Sequence, residues 1–177
     1  MFTIFFTSTN INAMASGWGF SKNKNHEVPE IGKYASILEG TNSYYVGPNE
    51  KNVYLTFDAG YEAGYMEKIL EVLKQNDVKA CFFITAHYLN TASDIVKRMI
   101  EEGHIVGNHT VNHKDLTKLT DEEIKNEIMN LHNAVYEKFG YEMKYFRPPM
   151  GEFSKKSPEK KFLEILEEAK SNIPEFG

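Results

Sequence analysis

From Lys51 onward, short apolar runs alternate with helical apolar stripes, and that alternation limits what the chain can fold into. "NVYLTFD" (52–58) is strand-like, and Tyr65, Ile69, Val72 and Leu73 then mark one apolar face of a helix. "KACFFIT" (79–85) is a second buried strand, followed by a helix with Ile95, Val96, Met99 and Ile100 on one side and Gly103 as its stop. "HIVGNH" (104–109) is a third strand. Thr120 with Glu123 forms a capping-box signature, and Ile124, Ile128, Leu131 and Val135 make the stripe of a long helix ending before Gly140. "KYFRPP" (144–149) reads as the end of a fourth strand. Near-continuous apolar strands separated by helices predict an α/β chain, a parallel sheet with helices packed outside it.

In such sheets the reactive groups gather beyond the carboxyl ends of the strands. Asp58, His109 and Arg147 each close a strand. His109 and His113 stand four apart in "NHTVNH". On an extended strand that spacing separates them by roughly 13 Å, too far for two metal–nitrogen bonds of about 2.0 Å. On a turn or helix the two rings are neighbours. A shared metal therefore requires the strand to end near His109. Asp58 beside a bound cation could act as general base toward a water; the structural alternative is an Asp that accepts backbone bonds in the turn at Gly60. Arg147 offers a planar cation able to hold Asp58 bidentately; the alternative is an ordinary ion pair beside a rigid loop. Pro148 and Pro149 hold the backbone extended after it, and Gly151 permits a turn or close approach of substrate. His26, His87, His104 and His132 lack metal-ligand spacing and read as surface or satisfied structural residues, with His87 placed where it could line a cleft.

Composition narrows the partners. With 177 residues, 41% hydrophobic, the chain holds one domain with a real core. A net charge of -5 argues against a surface for nucleic acid. Cys81 is the sole cysteine, so no internal disulfide is possible, and its apolar neighbours make it core filler. No segment approaches the ~18 apolar residues of a membrane span. "MFTIFFTSTNINAMA" (1–15) reads as a shortened export signal ending in an Ala-x-Ala pattern, without a basic residue before its apolar stretch. Residues 16–50 are expected to form an irregular arm, 51–153 the core, and 154–177 a helical tail carried by Phe162, Ile165, Leu166 and Ala169.

"LTFDAGYE", "HTVNH" and "RPPMG", in that order and separated by strand and helix patterns, resemble the polysaccharide deacetylases with a NodB-type domain. The resemblance covers roughly residues 50–153. The arm and the "TFDAGYE" version of the first motif look more narrowly like peptidoglycan deacetylases that make muramic δ-lactam in spore cortex. It implies a partial (β/α) barrel of NodB type, Asp58 as catalytic base, Arg147 as the residue orienting it, and His109 and His113 as ligands of one divalent metal ion, zinc or another. Pro148, Pro149 and Gly151 fall where the substrate is bound. The implied activity is hydrolytic removal of acetyl groups from an N-acetylated cell-wall polysaccharide, with N-acetylmuramic acid of peptidoglycan favoured, outside the cytoplasm in the cell envelope or spore cortex region.

Two departures qualify that picture. Ala59 stands where most relatives carry an aspartate as third metal ligand, which implies weak metal binding; Glu62 is not taken as its replacement. The family also places a later acidic strand and a late histidine that protonates the leaving amine, and nothing after Arg147 matches either, so a truncated barrel with weak or absent turnover is expected. A non-catalytic glycan-binding remnant is the alternative. A metal-dependent phosphoesterase is disfavoured, since such sites use more carboxylates than this pattern offers.

Overall fold

A computed structural model of the chain describes residues 50–151, with 24–25, 27–28 and 46–48. The segment 1–15 expected as an export signal, most of the expected arm and the tail expected to be helical lie outside the described residues. Three strands, β1 (Thr56–Ala59), β2 (Cys81–Ile84) and β3 (Ile105–Asn108), form one parallel sheet in the order β1-β2-β3. Helices α1 (Met66–Gln75), α2 (Ala86–Thr91), α3 (Ser93–Glu101) and α4 (Asp121–Phe139) connect and follow them. The alternation of strand and helix is the one expected from the apolar pattern.

Pairing in register sorts the strand residues onto two faces. Phe57, Phe82 and Val106 are aligned across the sheet, as are Ala59, Ile84 and Asn108. Phe57 stacks on Phe82 at 5.1 Å, and Phe82, Ile84, Val106, Leu70, Val96 and Met99 are completely buried in one cluster with Leu131 and Val135. The opposite face carries Thr56 with Cys81, then Asp58, Phe83 and Gly107 in a row. A Cβ at Gly107 would lie 2.6 Å from the Phe83 ring, so the glycine makes room for that ring to lean across β3.

The long helix begins and ends as its sequence dictates. Thr120 and Glu123 form a reciprocal capping box, and Gly140 closes the helix at φ 63 in the left-handed region that glycine enters without steric cost. Ile124, Ile128, Leu131 and Val135 are buried as the stripe predicts.

The structure corrects four expectations. β1 is shorter than 52–58: Leu55 still accepts from the Cys81 amide, but Val53 and Tyr54 lie beyond the start of β2, and Val53 is 87% exposed. In α1 the buried residues are Leu70 and Leu73, with Met66 and Ile69 packed beside them, while Tyr65 precedes the helix and Val72 is 57% exposed. Ile69 and Leu73 of the expected stripe face the core, while Met66 and Leu70 take the places expected of Tyr65 and Val72. The segment after β2 is two helices, with Thr85 capping the first.

The fourth strand is reduced to a single parallel bridge between Asn108 and Phe146. Its neighbour on β3, the Val106 N–H, is taken by the Tyr141 hydroxyl instead of by backbone. On the other side Pro148 and Pro149 bring no N–H to continue a ladder.

Candidate active site

Asp58 sits one residue before the end of β1, on the face that carries Phe83 and Gly107. The bridge at Phe146 brings the following residue, Arg147, over the same face, and its guanidinium lies 4.1 Å above the Phe83 ring. Arg147 Nη1 donates to Asp58 Oδ1 at 2.6 Å, and Nη2 donates to Thr56 Oγ1 at 2.9 Å. The expected bidentate grip on the carboxylate is therefore a fork divided between two side chains of β1. Thr56 and Asp58 are two residues apart on one strand face, which suits the spacing of the fork. Its consequence is that Asp58 Oδ2 is left clear of the arginine.

His109 follows β3 directly. Its Nδ1 pairs with the Arg147 carbonyl at 2.8 Å; a carbonyl can only accept, so Nδ1 carries the proton and Nε2 presents its lone pair. Nε2 stands 3.9 Å from Asp58 Oδ2. Burial holds the His109 imidazole below its usual pKa, against smaller opposing effects of the Arg147 carbonyl and the Asp58 charge, so the ring is neutral near pH 7. A single residue thus serves twice: the Arg147 side chain orients Asp58 and its carbonyl sets the tautomer of His109.

The condition set by the four-residue spacing of the histidines is met. β3 ends at Asn108, and the chain turns with Thr110 at φ 70 and His113 at φ 52. The two rings meet edge to face with centroids 4.7 Å apart. Asn108 fixes the near end of this turn by donating to the Ile128 carbonyl and accepting from the Thr110 amide, and the Thr110 hydroxyl accepts from the His113 amide. The two rings are thus neighbours, as a shared cation would require. Ala59 turns the other way, 2% exposed within the hydrophobic cluster, and no set of three or more His, Cys, Asp or Glu side chains able to hold a metal occurs among the described residues.

A cleft of about 460 Å³ opens beside His113, lined by Gly60, Thr85, His87, Asn90 and Asn112 among others. His87 is exposed there, with the Tyr61 ring parallel to it at 6.5 Å. Pro148 is half-buried and Pro149 fully buried, and Pro149–Gly151 forms a tight turn with Met150 at φ 56.

Glu62, quoted with the first motif, is structural. Its Oε1 accepts from the amides of Gly64, Tyr65 and Met66 at the start of α1, and its Oε2 accepts from the Tyr88 hydroxyl at 2.6 Å. The Tyr88 bond is the foremost reason its pKa is held below the usual carboxylate range. Cys81 lies on the Asp58 face, half-buried, and burial pushes its thiol up to about 11, which leaves it protonated and inert at neutral pH.

Among the other histidines, His104 is buried, accepting from the Ala80 amide at Nδ1, and its Nε2 stands 3.9 Å from Glu102 Oε2, with neither atom hydrogen-bonded among the described residues. His132 is buried in α4. His26 lies outside the described residues.

Residues 45–169, well over half of the chain, match the polysaccharide deacetylase family. The chain belongs to that family. Among curated relatives, this polysaccharide deacetylase chain is 48% identical over 154 residues to an uncharacterised 30.6 kDa protein of Geobacillus stearothermophilus, covering 85% of this chain and 58% of that protein. It is 44% identical over 140 residues to the peptidoglycan-N-acetylmuramic acid deacetylase PdaA of Bacillus subtilis, covering 77% of this chain and 53% of PdaA. The solved structure of Bacillus subtilis PdaA, a family 4 carbohydrate esterase, superimposes with a TM-score of 0.76 and 38% identity over 86% of this chain and 64% of that one. The parallel sheet with outer helices is therefore part of the deacetylase fold. The chain spans little more than half the length of the curated relatives it matches first.

Proposed function

We propose that this chain carries the site of a metal-dependent peptidoglycan deacetylase whose preferred sugar is N-acetylmuramic acid. The observation that carries the reading is the interlock of Arg147 with Asp58 and His109, which leaves one carboxylate oxygen and one imidazole nitrogen clear and 3.9 Å apart. The likeness to a deacetylase named for N-acetylmuramic acid supports the choice of sugar.

When bound by His109 and His113, a divalent cation supplies charge stabilisation at the amide oxygen. The chain's own residues do the rest. Asp58 Oδ2 takes a proton from the water that attacks the acetyl carbon, while Oδ1 stays anchored to Arg147. As the carbon–nitrogen bond breaks, acetate leaves and the sugar nitrogen gains a proton; we assign its delivery to His87, which is exposed on the cleft it shares with His113. Among the described residues the set that would hold the cation is two imidazoles, with Ala59 buried in the core, and such a set would bind it weakly. Action outside the cytoplasm, at the cell envelope or spore cortex and toward muramic δ-lactam, follows from the same reading. No helix among the described residues is long and apolar enough to cross a membrane.

A non-catalytic glycan-binding remnant is the second reading, favoured by the buried Ala59 and the two-ligand site. Digestion of purified peptidoglycan with the protein and divalent metal, followed by mass analysis of the fragments, separates them. Loss of one acetyl group per converted sugar on muramic acid supports the proposal; loss on glucosamine alone overturns the sugar choice, and no loss supports the remnant.

A further inference from the structure

Glu127 is out of place by pattern. It lies on the inward side of α4, between Ile124 and Ile128, and is 5% exposed, where a helix stripe calls for an apolar residue. A carboxylate buried there must be matched by donors, and among the described residues its donors come from one short stretch of chain. Asn112 donates its amide N–H to Oε2 at 2.7 Å and its Nδ2 to Oε1 at 2.7 Å. Lys114 Nζ stands 3.1 Å from Oε1. The Glu127 backbone carbonyl also accepts from the Val111 amide at 2.9 Å.

That stretch holds His113. The segment from Thr110 to His113 runs through two residues in the left-handed region, neither of them glycine, a conformation that surrounding contacts must impose. Asn108 and Ile128 fix its near end; Glu127 fixes the residues on either side of His113. His113 itself is exposed, so little packing holds its ring beside His109.

We propose that Glu127 is a positioning residue that clamps the 111–114 loop and thereby sets the His113 imidazole against His109 for a shared cation. The metal-binding part rests on the proposed function above; the clamp does not. Burial alone would raise the pKa of this carboxyl, and the Asn112 and Lys114 contacts reverse that, holding it below the usual carboxylate range.

The test uses the whole chain with Glu127→Ala, Glu127→Gln and Asn112→Ala, and two readouts other than turnover. The first is amide hydrogen exchange of Val111, Asn112 and His113 in metal-free protein, with the β2 and β3 amides as internal controls. Glu127→Ala is expected to lose protection at these three amides and keep it in the sheet. Glu127→Gln keeps an acceptor for the Asn112 N–H and is expected to restore most of it. The second is the zinc dissociation constant by competition with a chelating indicator, expected to weaken about 10- to 100-fold in Glu127→Ala, the usual range for loss of a ligand's supporting partner. If Glu127→Ala does not fold, Asn112→Ala is expected to show the same pattern more weakly. Unchanged protection and unchanged zinc affinity in a folded Glu127→Ala protein overturn the proposal. If native protein binds zinc no better than His109→Ala, the metal reading fails, and the exchange result alone upholds or overturns the clamp.

Discussion

Arg147 Nη1 donates to Asp58 Oδ1 at 2.6 Å across 89 residues of sequence, while Nη2 reaches Thr56. The arginine therefore fixes the direction of the carboxylate and leaves its second oxygen clear. A lysine at 147 supplies a charge but no fork, so it cannot hold Asp58 and Thr56 together. If Asp58 is the general base, Arg147→Lys is expected to lower kcat for acetate release by about 10²-fold, with KM changed far less, the low end of the roughly 10²–10⁴-fold that proton transfer by a positioned side chain contributes. Steady-state kinetics on a soluble peptidoglycan fragment check this, and an unchanged kcat counts against the assignment of Arg147.

The platform under Arg147 gives a second prediction. The Phe83 ring fills the space above Gly107, and a Cβ there would approach it to 2.6 Å. Gly107→Ala is expected to destabilise the fold by about 1–3 kcal/mol through overpacking and to displace Phe83 toward the guanidinium. Denaturant unfolding and acetate release should fall together. Full stability in the variant would mean that the ring relaxes without cost.

The Glu62 carboxylate ties the turn after β1 to α2 through Tyr88. Tyr88 is completely buried, and burial first, then the Glu62 bond and charge, raise its pKa far above the usual phenol value. Tyr88→Phe removes one hydrogen bond to a charged acceptor and is expected to cost about 1.5–3 kcal/mol. Thermal unfolding measures it. A shift indistinguishable from zero would show that Glu62 is satisfied by its three backbone donors alone.

Acid should weaken the fold through its buried histidines. Burial is the first cause holding His104, His109 and His132 below their usual pKa. For His104, nearby Lys79 and Arg98 act the same way, and Glu102 opposes them. A depressed histidine takes up its proton more readily in the unfolded chain, so stability is full above the unfolded value of about 6.5 and declines as pH falls below it. Protonation of His104 would also break its bond from the Ala80 amide at 3.2 Å. The midpoint of urea unfolding is expected to fall between pH 7 and pH 5, and less steeply in His104→Gln. Equal slopes for the two proteins would remove His104 from this account.

Much of the scaffold was legible because it is periodic or local. The three strands, the α4 stripe and the Thr120–Glu123 cap follow from spacing alone, and so does the requirement that β3 end where the histidine pair begins. What was not legible comes from contacts distant in sequence. The division of the Arg147 fork between Asp58 and Thr56 depends on strand register and on where Phe146 meets β3. Val72 was misplaced because a small rotation of the α1 face that keeps Ile69 and Leu73 exchanges it for Leu70, and the packing against the sheet sets that rotation. Glu127 left a signal that could have been used, a carboxylate inside the apolar stripe of α4. Its partners in the histidine loop could not be foreseen, since they lie about fifteen residues away and off the helix.

The most direct test of the account is acetate release from purified peptidoglycan, with and without added divalent metal, by the native protein, Asp58→Asn and His109→Ala. The account predicts metal-dependent release by the native protein that both substitutions abolish. Release that persists undiminished in Asp58→Asn, or none from folded native protein with metal present, would contradict it.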